Sequence, residues 1–399
     1  MKLAVLTNIL TPYRIPLFEA MQKRVDDLTV LLMAEREENR QWNLKAHPFK
    51  THLLPGIHVR PPGYPVSMHW NHGVVAALRR FNPDLVLSGG FAPANMAALI
   101  YCKRFRKKFV GWGELTQTDI VGALIRRRVR RWLIGRSDGA IASSSEARDV
   151  FIHYGLAKDQ VLTAVMPIDV SHFHERAEQF RNSPEYPVLR EKYAVRREVG
   201  RGRQEDRFGP ILFSVGRITE MKGYPELFRI YGRILEARPD VSLLIAGDGP
   251  DRPAYERVAR EKGWSNIHFT GFVQADELPK FLAISDIFVF HTLFDHFGAV
   301  LSEAMAAELP VVSSIHAAAT RDLVQEGVTG FRINPRNIEI SAATILQVLN
   351  MQPEERVALG RAGYEQVRRY DIPESADSMI QFLASRLKTP AESAFGRVL

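Results

Sequence analysis

The chain has 399 residues, of which 46% are hydrophobic, and it carries 53 Lys and Arg against 45 Asp and Glu. This composition excludes intrinsic disorder, and the length exceeds what one hydrophobic core usually organises, so we expect two domains. The positive charge lies in the first half, where residues 1–200 hold 30 Lys and Arg against 19 Asp and Glu. A basic half of this kind could bind nucleic acid, anionic lipid or an acidic substrate, and the charge alone does not distinguish among these partners.

The amino terminus, MKLAVLTNILTPYRIP, predicts a first strand and not a secretory signal, because prolines and polar residues interrupt its apolar stretch. No run of about 18 uncharged apolar residues occurs in the sequence, so any membrane contact is expected to be peripheral. The single cysteine, Cys102, fits a reducing compartment. These features predict a cytoplasmic location, with the inner face of the cell membrane as a further option.

Short apolar runs alternate with helical patterns along the chain, which is typical of an α/β protein with parallel sheets. Strands are predicted over residues 3–6, 28–32, 85–87, 109–111, 140–142 and 161–165 in the first half, and over 211–215, 242–246, 267–270, 287–290 and 311–314 in the second. The polar stretch between the two series predicts a linker over 171–209, which separates a domain at 1–170 from a domain at 210–371. A final helix is predicted over 372–399 and could pack back on the N-terminal domain.

Open parallel sheets bind their ligands beyond the carboxyl ends of the strands. The sequence therefore predicts two doubly wound, Rossmann-like domains that face a central cleft, with the chemistry in that cleft. No Asp-x-Asp triplet and no group of His or Cys residues with ligand spacing occurs in the sequence, so no metal ion is expected.

Two glycine-containing segments follow strands of the second half. Gly216 and Arg217 come directly after the strand at 211–215, and Lys222 and Gly223 follow a few residues later. A guanidinium and an ammonium group can bind a diphosphate and stabilise the charge that develops as it leaves. Ordinary surface cations remain an equal alternative for this segment alone. The turn AGDGP at 246–250 is assigned to backbone geometry.

A third segment, HTLFDHFGAVLSEAMAAELPVV, places Asp295 in a loop and Glu303 within a helix that is predicted to begin near Gly298. Both carboxylates could then accept hydrogen bonds from the hydroxyl groups of one ligand. The helix amino terminus at His296, Phe297 and Gly298 offers amides to a phosphate. The alternative is that Asp295 only caps the helix and that Glu303 is solvated.

The order of these motifs, with G-F-V at 271–273 and G-x-T-G-F at 327–331, resembles the nucleotide-sugar domain of family 4 glycosyltransferases, which have the GT-B fold. The resemblance implies that Arg217 and Lys222 hold the diphosphate of a UDP- or GDP-sugar and that Glu303 binds its ribose. It also implies a sugar contact for Asp295, where the family usually has glutamate, and a nucleotide contact for Gly271 and Phe272. Hexosyl transfer with retention of configuration, to a glycan or lipid-linked acceptor, is the function that the resemblance implies.

The opening NILTPYRIPLFEAM resembles a subset of this family that builds surface polysaccharides, which makes the N-terminal domain the acceptor-binding one. The residues implied on the acceptor side are Asn8, Thr11, Tyr13 and Arg14. Gly90, which follows Gly89 after a predicted strand, could give the acceptor access, and a purely structural turn is an equal alternative. Many family members carry a histidine where this sequence reads FVGWGELTQTD, so Glu114 is the candidate to orient the acceptor hydroxyl or to accept its proton. A glutamate in a surface turn is the alternative.

The run ALIRRRVRRWLIGR predicts a basic amphipathic helix, with Ile125, Val129, Trp132 and Leu133 on one stripe. Residues 124–136 could make a peripheral contact with an anionic membrane. The alternative is that the stripe packs on the sheet while the arginines stay in water.

Two other functions stay open. A nucleotide-sugar 2-epimerase, an isomerase of the same architecture, would bind the same donor without an acceptor. A nucleic-acid-binding protein would account for the arginine run, but the basic half carries no recognised module for base readout, so no nucleic-acid partner is expected.

Overall fold

The computed structural model describes residues 1–36, 46–59, 68–197 and 208–388. The chain divides into two compact units, one formed by Met1–Ile168 with Ile372–Leu399 and the other by Asp169–Asp371. None of the described helices is both long enough and apolar enough to span a bilayer.

Within the described part of the first unit, seven parallel strands form one sheet, and two further strands form an antiparallel hairpin. The strands are β1 (Lys2–Thr7), β2 (Asp27–Leu32), β3 (Lys50–Leu53), β4 (Gly56–Val59), β5 (Met68–Asn71), β6 (Leu85–Gly89), β7 (Lys108–Gly113), β8 (Gly139–Ala142) and β9 (Val161–Thr163). The sheet order is β3-β2-β1-β6-β7-β8-β9, and β4 pairs with β5. The helices are α1 (Ile15–Gln22), α2 (Val74–Phe81), α3 (Pro93–Arg104), α4 (Thr118–Val121), α5 (Leu124–Ile134) and α6 (Ser145–His153).

The first sheet is covered on both faces. Side chains of a strand alternate between the two faces, and in β1 Leu3 and Val5 join one apolar cluster while Ala4 and Leu6 join another. Helix α1 contributes to the first cluster, and α2 and α3 contribute to the second. Because both faces are buried, β1 is a continuous apolar run and not an alternating one.

The second unit has the same plan, with six parallel strands in the order β12-β11-β10-β13-β14-β15 among the residues described. The strands are β10 (Ile211–Val215), β11 (Ser242–Ala246), β12 (Ile267–Gly271), β13 (Ile287–Phe290), β14 (Val311–Ser314) and β15 (Phe331–Ile333). The helices are α7 (Val170–Arg181), α8 (Glu185–Tyr193), α9 (Tyr224–Ala237), α10 (Arg252–Glu261), α11 (Leu278–Ala283), α12 (Ala299–Ala306), α13 (Ala318–Leu323), α14 (Ile338–Leu349) and α15 (Pro353–Val367). Both sheets therefore show the doubly wound order in which the chain runs outward from a central strand and then restarts on its other side.

The segment predicted as a linker, 171–209, is largely helical in the structure. Residues 198–207 lie outside the described part of the chain, but α7 and α8 occupy most of the rest and belong to the second unit. Helix α7 buries Val170, Phe173, Ala177 and Phe180, which recur at helical spacing and pack towards α11 and α12. The polar and charged residues between them obscure this stripe in the sequence.

The last described helix, α16 (Ile372–Lys388), returns to the first unit. Its buried side chains Ile372, Ala376, Met379 and Leu383 join the apolar cluster that contains α1. Arg24 donates to both carboxylate oxygens of Asp377, at 2.6 and 3.0 Å, and fixes the helix beside α1. Residues 389–399 of the predicted helix lie outside the described part.

Candidate functional site

The candidate donor site lies where the strand order of the second sheet reverses. Strands β10 and β13 are neighbours in space, although β11 and β12 separate them in sequence. The crevice beyond the carboxyl ends of two such strands is the usual ligand site of a doubly wound sheet. Gly216–Gly223 follows β10, and His291–Gly298 follows β13. Both motifs found in the sequence therefore belong to this crevice.

Lys222 and Asp295 meet in this crevice. The Nζ atom of Lys222 donates to Oδ2 of Asp295 at 2.6 Å and to the carbonyl oxygen of Phe294 at 3.2 Å. The two side chains are 25% and 24% exposed, so they stay accessible to a ligand. The pair holds one positive and one negative group at a single point, where a diphosphate and a sugar hydroxyl could each find a partner.

Gly223 allows the two segments to approach so closely. Its φ is +78°, and a Cβ atom at this position would lie 2.2 Å from the carbonyl oxygen of His291. Only glycine combines this backbone conformation with this contact. Lys222 is the last residue of a short 3-10 helix, Glu220–Lys222, and the close packing of Gly223 directs that turn towards Asp295.

A second pair of glycines supports the loop that carries Arg217. A Cβ atom on Gly247 would lie 1.9 Å from the carbonyl oxygen of Gly216, and one on Gly249 would lie 2.1 Å from that of Ile218. The AGDGP turn therefore acts through backbone geometry, as the sequence indicates. Arg217 itself is exposed and forms no ion pair or hydrogen bond with any other described residue. Its guanidinium is free to bind an anion.

Glu303 lies in the second turn of α12, which begins after Gly298. Gly298 has a φ of +96°, and a Cβ atom there would collide with the Phe290 ring at 2.5 Å. Burial raises the pKa of Glu303 to about 7, and within the described residues its carboxyl group has no hydrogen-bond partner. A desolvated carboxyl group without a partner costs stability, and such groups are concentrated at functional sites.

The other predicted donor residues around α12 have different environments. His296 is exposed, and its ring lies 4.8 Å from that of Phe294. The side chain of Phe297 is buried, and its backbone N–H donates to Oδ1 of Asp295 at 3.3 Å. The amide of Phe297 is therefore engaged by Asp295, whereas the sequence predicts that it is available to a phosphate.

Gly271 ends β12, which β11 separates from β10, and Phe272 follows directly after it. Gly271 accepts a hydrogen bond from the N–H of Gly247 at 2.8 Å, which ties it to the turn that supports the Arg217 loop. A Cβ atom on Gly271 would lie 3.2 Å from Nη1 of Arg252. Phe272 is exposed and presents its ring to solvent.

His291 is a residue of this crevice that the sequence analysis missed. It follows β13 directly, and a polar residue immediately after a buried strand is the signal that could have found it. Burial lowers the pKa of His291 to about 4, so the ring is neutral near pH 7. Its ring packs edge-on against Tyr224 at 4.7 Å, and its carbonyl oxygen is the atom that Gly223 approaches.

In the first unit, the structure brings together Arg14 and Glu114, which lie on separate segments beyond β1 and β7. Nη2 of Arg14 donates to Oε1 of Glu114 at 3.1 Å, and Nη1 donates to Oγ1 of Thr7 at 2.8 Å. The guanidinium also lies over the ring of Trp112, 4.5 Å from its centroid. Glu114 is thus held by a fixed cation at the carboxyl edge of the sheet and is not a free surface glutamate.

The remaining predicted acceptor-side residues surround the same edge. Oγ1 of Thr7 donates to Oδ1 of Asn8 at 3.4 Å, and the Tyr13 ring centroid lies 5.8 Å from Cζ of Arg14. Thr11 is buried. Gly90 is exposed and has a φ of +104°. The carbonyl oxygen of the preceding Gly89 accepts a hydrogen bond from the buried side chain of Asn95 at 3.0 Å.

The basic helix α5 differs from its predicted orientation. Ile125 was placed on the apolar stripe, but it is exposed, whereas Leu133 and Ile134 are buried and Val129 and Trp132 are half-buried. Arg130 points inward, because Asp119 accepts a hydrogen bond from its Nη2 at 2.5 Å. The physical reason is that only the carboxyl end of the helix packs on the domain.

Among the described residues, no group of three or more His, Cys, Asp or Glu side chains is arranged to hold a metal ion.

The chain is similar in sequence to known glycosyl transferases. The family described as "Glycosyl transferases group 1" matches residues 200–366. Sulfoquinovosyl transferase SQD2 of Arabidopsis thaliana is 26% identical over 315 residues, which cover 77% of this chain and 58% of the plant protein. A GDP-mannose-dependent alpha-(1-6)-phosphatidylinositol monomannoside mannosyltransferase of Mycolicibacterium smegmatis is 27% identical over 175 residues, 41% of this chain and 45% of that protein. The chain thus spans about half the length of these relatives.

The architecture has a counterpart among solved structures. Anabaena HepE in complex with UDP-glucose matches with a TM-score of 0.73 at 19% identity, covering 96% of this chain and 100% of HepE. The predicted α/β class and the predicted family resemblance are both confirmed. The chain therefore has the GT-B fold, and its residues 200–366 match the group 1 family of glycosyl transferases.

Proposed function

We propose that the protein transfers a hexose from a UDP- or GDP-sugar to a glycan or lipid-linked acceptor with retention of anomeric configuration. The observation that carries this proposal is the contact between Lys222 and Asp295 at the strand reversal of the second sheet. The family match over residues 200–366 supports a nucleotide sugar as the donor. The proposed setting is the synthesis of a surface polysaccharide or glycolipid at the cytoplasmic face of the membrane.

In this proposal the second unit binds the donor. Arg217 and Lys222 hold the diphosphate and stabilise its charge as the bond to the anomeric carbon breaks. The ammonium group of Lys222 has three protons, so it can donate to a phosphate oxygen while it remains bonded to Asp295. Asp295 accepts from a sugar hydroxyl, and Glu303 accepts from the ribose. Gly271 and Phe272 are assigned to contact the nucleobase of the donor.

The first unit binds the acceptor. Oε1 of Glu114 is engaged by Arg14, which leaves Oε2 to accept a hydrogen bond from the acceptor hydroxyl. In the reaction, the acceptor oxygen bonds to the anomeric carbon on the face that the diphosphate leaves, and the hydroxyl proton passes to a base. We assign Glu114 to orient that hydroxyl or to take its proton, with Asn8, Thr11, Tyr13 and Gly90 shaping the acceptor side.

The relatives support the choice of donor and acceptor classes. HepE is solved with UDP-glucose, the mycobacterial relative is GDP-mannose-dependent, and the plant relative is a sulfoquinovosyl transferase. The mycobacterial acceptor is a phosphatidylinositol monomannoside, and another relative is the lipopolysaccharide core glycosyltransferase LpsE of Rhizobium meliloti. Both relatives act on or help to build lipid-containing glycans, which supports a lipid-linked or glycan acceptor for this chain.

The test is incubation of the purified chain with a panel of UDP- and GDP-sugars, first alone and then with a pool of lipid-linked and free glycan acceptors. Mass spectrometry of the products should show a hexose mass added to an acceptor, with release of the nucleoside diphosphate. The anomeric configuration of the product, read by NMR, tests retention. Conversion of the nucleotide sugar to its 2-epimer without any acceptor would instead establish the isomerase and overturn the transferase.

A further inference from the structure

The surface between α4 and α5 exposes large apolar side chains. Val121, Leu124 and Ile125 are 79%, 60% and 73% exposed, and they lie within five positions of one another. We call these three residues the apolar wedge. Single exposed apolar side chains are common on proteins, but three large adjacent ones mark a surface that meets another apolar phase.

Cations surround the wedge. Arg126, Arg127, Arg128 and Arg131 follow it on α5, and all four are exposed. Within the described part of the chain, none of these four side chains forms an ion pair or a hydrogen bond with another residue. Their positive charge is therefore not neutralised by the protein itself, and it is available to an anionic partner.

Hydrogen bonds and buried side chains anchor the helix that carries part of the wedge. Arg130 donates to Oδ1 of Asp119 at 2.5 Å and to its carbonyl oxygen at 3.1 Å, which joins α5 to α4. The hydroxyl group of Tyr154 also donates to that carbonyl oxygen, at 2.8 Å. At the other end of α5, Leu133 and Ile134 are buried in the core. The exposed residues are thus presented by an anchored helix.

We propose that this surface docks the protein on a bilayer that contains anionic lipids, with the wedge in the interfacial layer and the four arginines among the headgroups. Interfacial docking needs exposed apolar side chains together with cations that reach anionic headgroups, and both are present on this surface. A nucleic acid would bind the arginines but leave the wedge in water. The proposal does not depend on the transferase activity, because docking requires neither donor nor acceptor.

Co-sedimentation with lipid vesicles tests the proposal. The full chain is mixed with vesicles of phosphatidylcholine alone and of phosphatidylcholine with phosphatidylglycerol. We expect binding to the vesicles with phosphatidylglycerol, and we expect Leu124→Ser with Ile125→Ser to weaken that binding about 10-fold. Arg126→Gln with Arg127→Gln should remove the preference for the anionic vesicles, and added salt should weaken binding of the wild type.

Matched controls exist in the second unit. Val188 and Val357 are 70% and 65% exposed, so Val188→Ser with Val357→Ser removes a similar apolar area elsewhere. Arg257→Gln with Arg260→Gln removes two exposed cations from α10. Both controls should bind vesicles as the wild type does. Equal binding by the wedge variant and the wild type would overturn the proposal. A second outcome would also overturn the proposal. In it the chain does not bind vesicles but binds duplex DNA or single-stranded RNA tightly, and the arginine variant loses that binding.

Discussion

The ammonium group of Lys222 lies 2.6 Å from a carboxylate oxygen of Asp295, although 73 positions separate the two residues in the chain. One follows β10 and the other follows β13, so the doubly wound strand order itself creates the contact. Because Asp295 holds the ammonium group of Lys222 in place, the proposed donor site offers a cation that is already positioned for a diphosphate.

Lys222→Ala is expected to lower kcat about 100-fold, the effect of removing one group that stabilises developing charge. Asp295→Asn should lower it as well, and the double variant should lose less than the product of the two effects because the residues act as a pair. Steady-state kinetics with a fixed acceptor measures this. Lys262→Ala is the control, since Lys262 is an exposed lysine on the same unit. Wild-type rates in Lys222→Ala would contradict the assignment.

Glu303 predicts a pH dependence of folding stability. Burial raises its pKa from 4.5 to about 7, so between these pH values the folded protein holds a proton that the unfolded chain has released. The contribution is therefore fully present below pH 4.5 and is lost as pH rises to about 7, by at most about 3 kcal/mol. Chemical denaturation at a series of pH values should show this decline in the wild type. In Glu303→Gln the decline should be smaller by that amount, and equal profiles would contradict the prediction.

Gly223 and Gly263 offer a matched comparison of backbone strain with steric conflict. Both have positive φ, +78° and +66°, but a Cβ atom on Gly263 would meet nothing within 4 Å. Gly263→Ala should cost about 1 kcal/mol of unfolding free energy from strain alone. Gly223→Ala should cost about 2 kcal/mol more and also lower activity, because the conflict with His291 displaces the turn that carries Lys222. Equal denaturation midpoints and activities for the two variants would show that the contact does not constrain the site.

Substitutions in the Arg14–Glu114 pair are expected to lower the catalytic rate without changing the affinity for the nucleotide. Glu114→Gln and Arg14→Gln should each lower kcat by about 10-fold or more, because an acceptor-positioning carboxylate loses either its charge or its fixed orientation. The affinity for UDP or GDP, measured by calorimetry, should stay within about 2-fold of the wild type since the nucleotide is assigned to the second unit. Glu35→Gln, at an exposed glutamate of the first unit, serves as the control. A parallel loss of nucleotide affinity would argue that the pair belongs to the donor site.

The central strands were predictable because they are buried on both faces. Leu3–Leu6 is an unbroken apolar run, and only Ser214 interrupts the run at Ile211–Val215. These runs mark strands β1 and β10 correctly. The cations and carboxylates of the donor site follow such runs, which is why they could be found in the sequence. Their pairing could not be read there, because it depends on which strands become neighbours.

The missed elements lack the apolar signal. All four residues of β3 are exposed, since this strand lies at the edge of its sheet, and β15 has only three residues. The sequence analysis nominates Glu114 only because it lies where many family members carry a histidine. Its contact with Arg14 crosses 100 positions, and predicting it requires knowing that β1 and β7 end at the same edge of one sheet. The exposure of Ile125 was also not predictable, because helical periodicity shows which residues share a face and not how much of that face is covered.

The return of α16 to the first unit has a consequence for synthesis of the protein. The ribosome makes the whole second unit before it reaches Ile372, so the apolar cluster around α1 and β1 stays uncovered on that side during translation. We therefore expect the usual order, in which the N-terminal domain of a nascent chain matures first, to be reversed here. The second unit can fold on its own residues while the first still lacks Met379 and Leu383, and in that interval the first unit exposes an apolar surface of the kind to which chaperones bind.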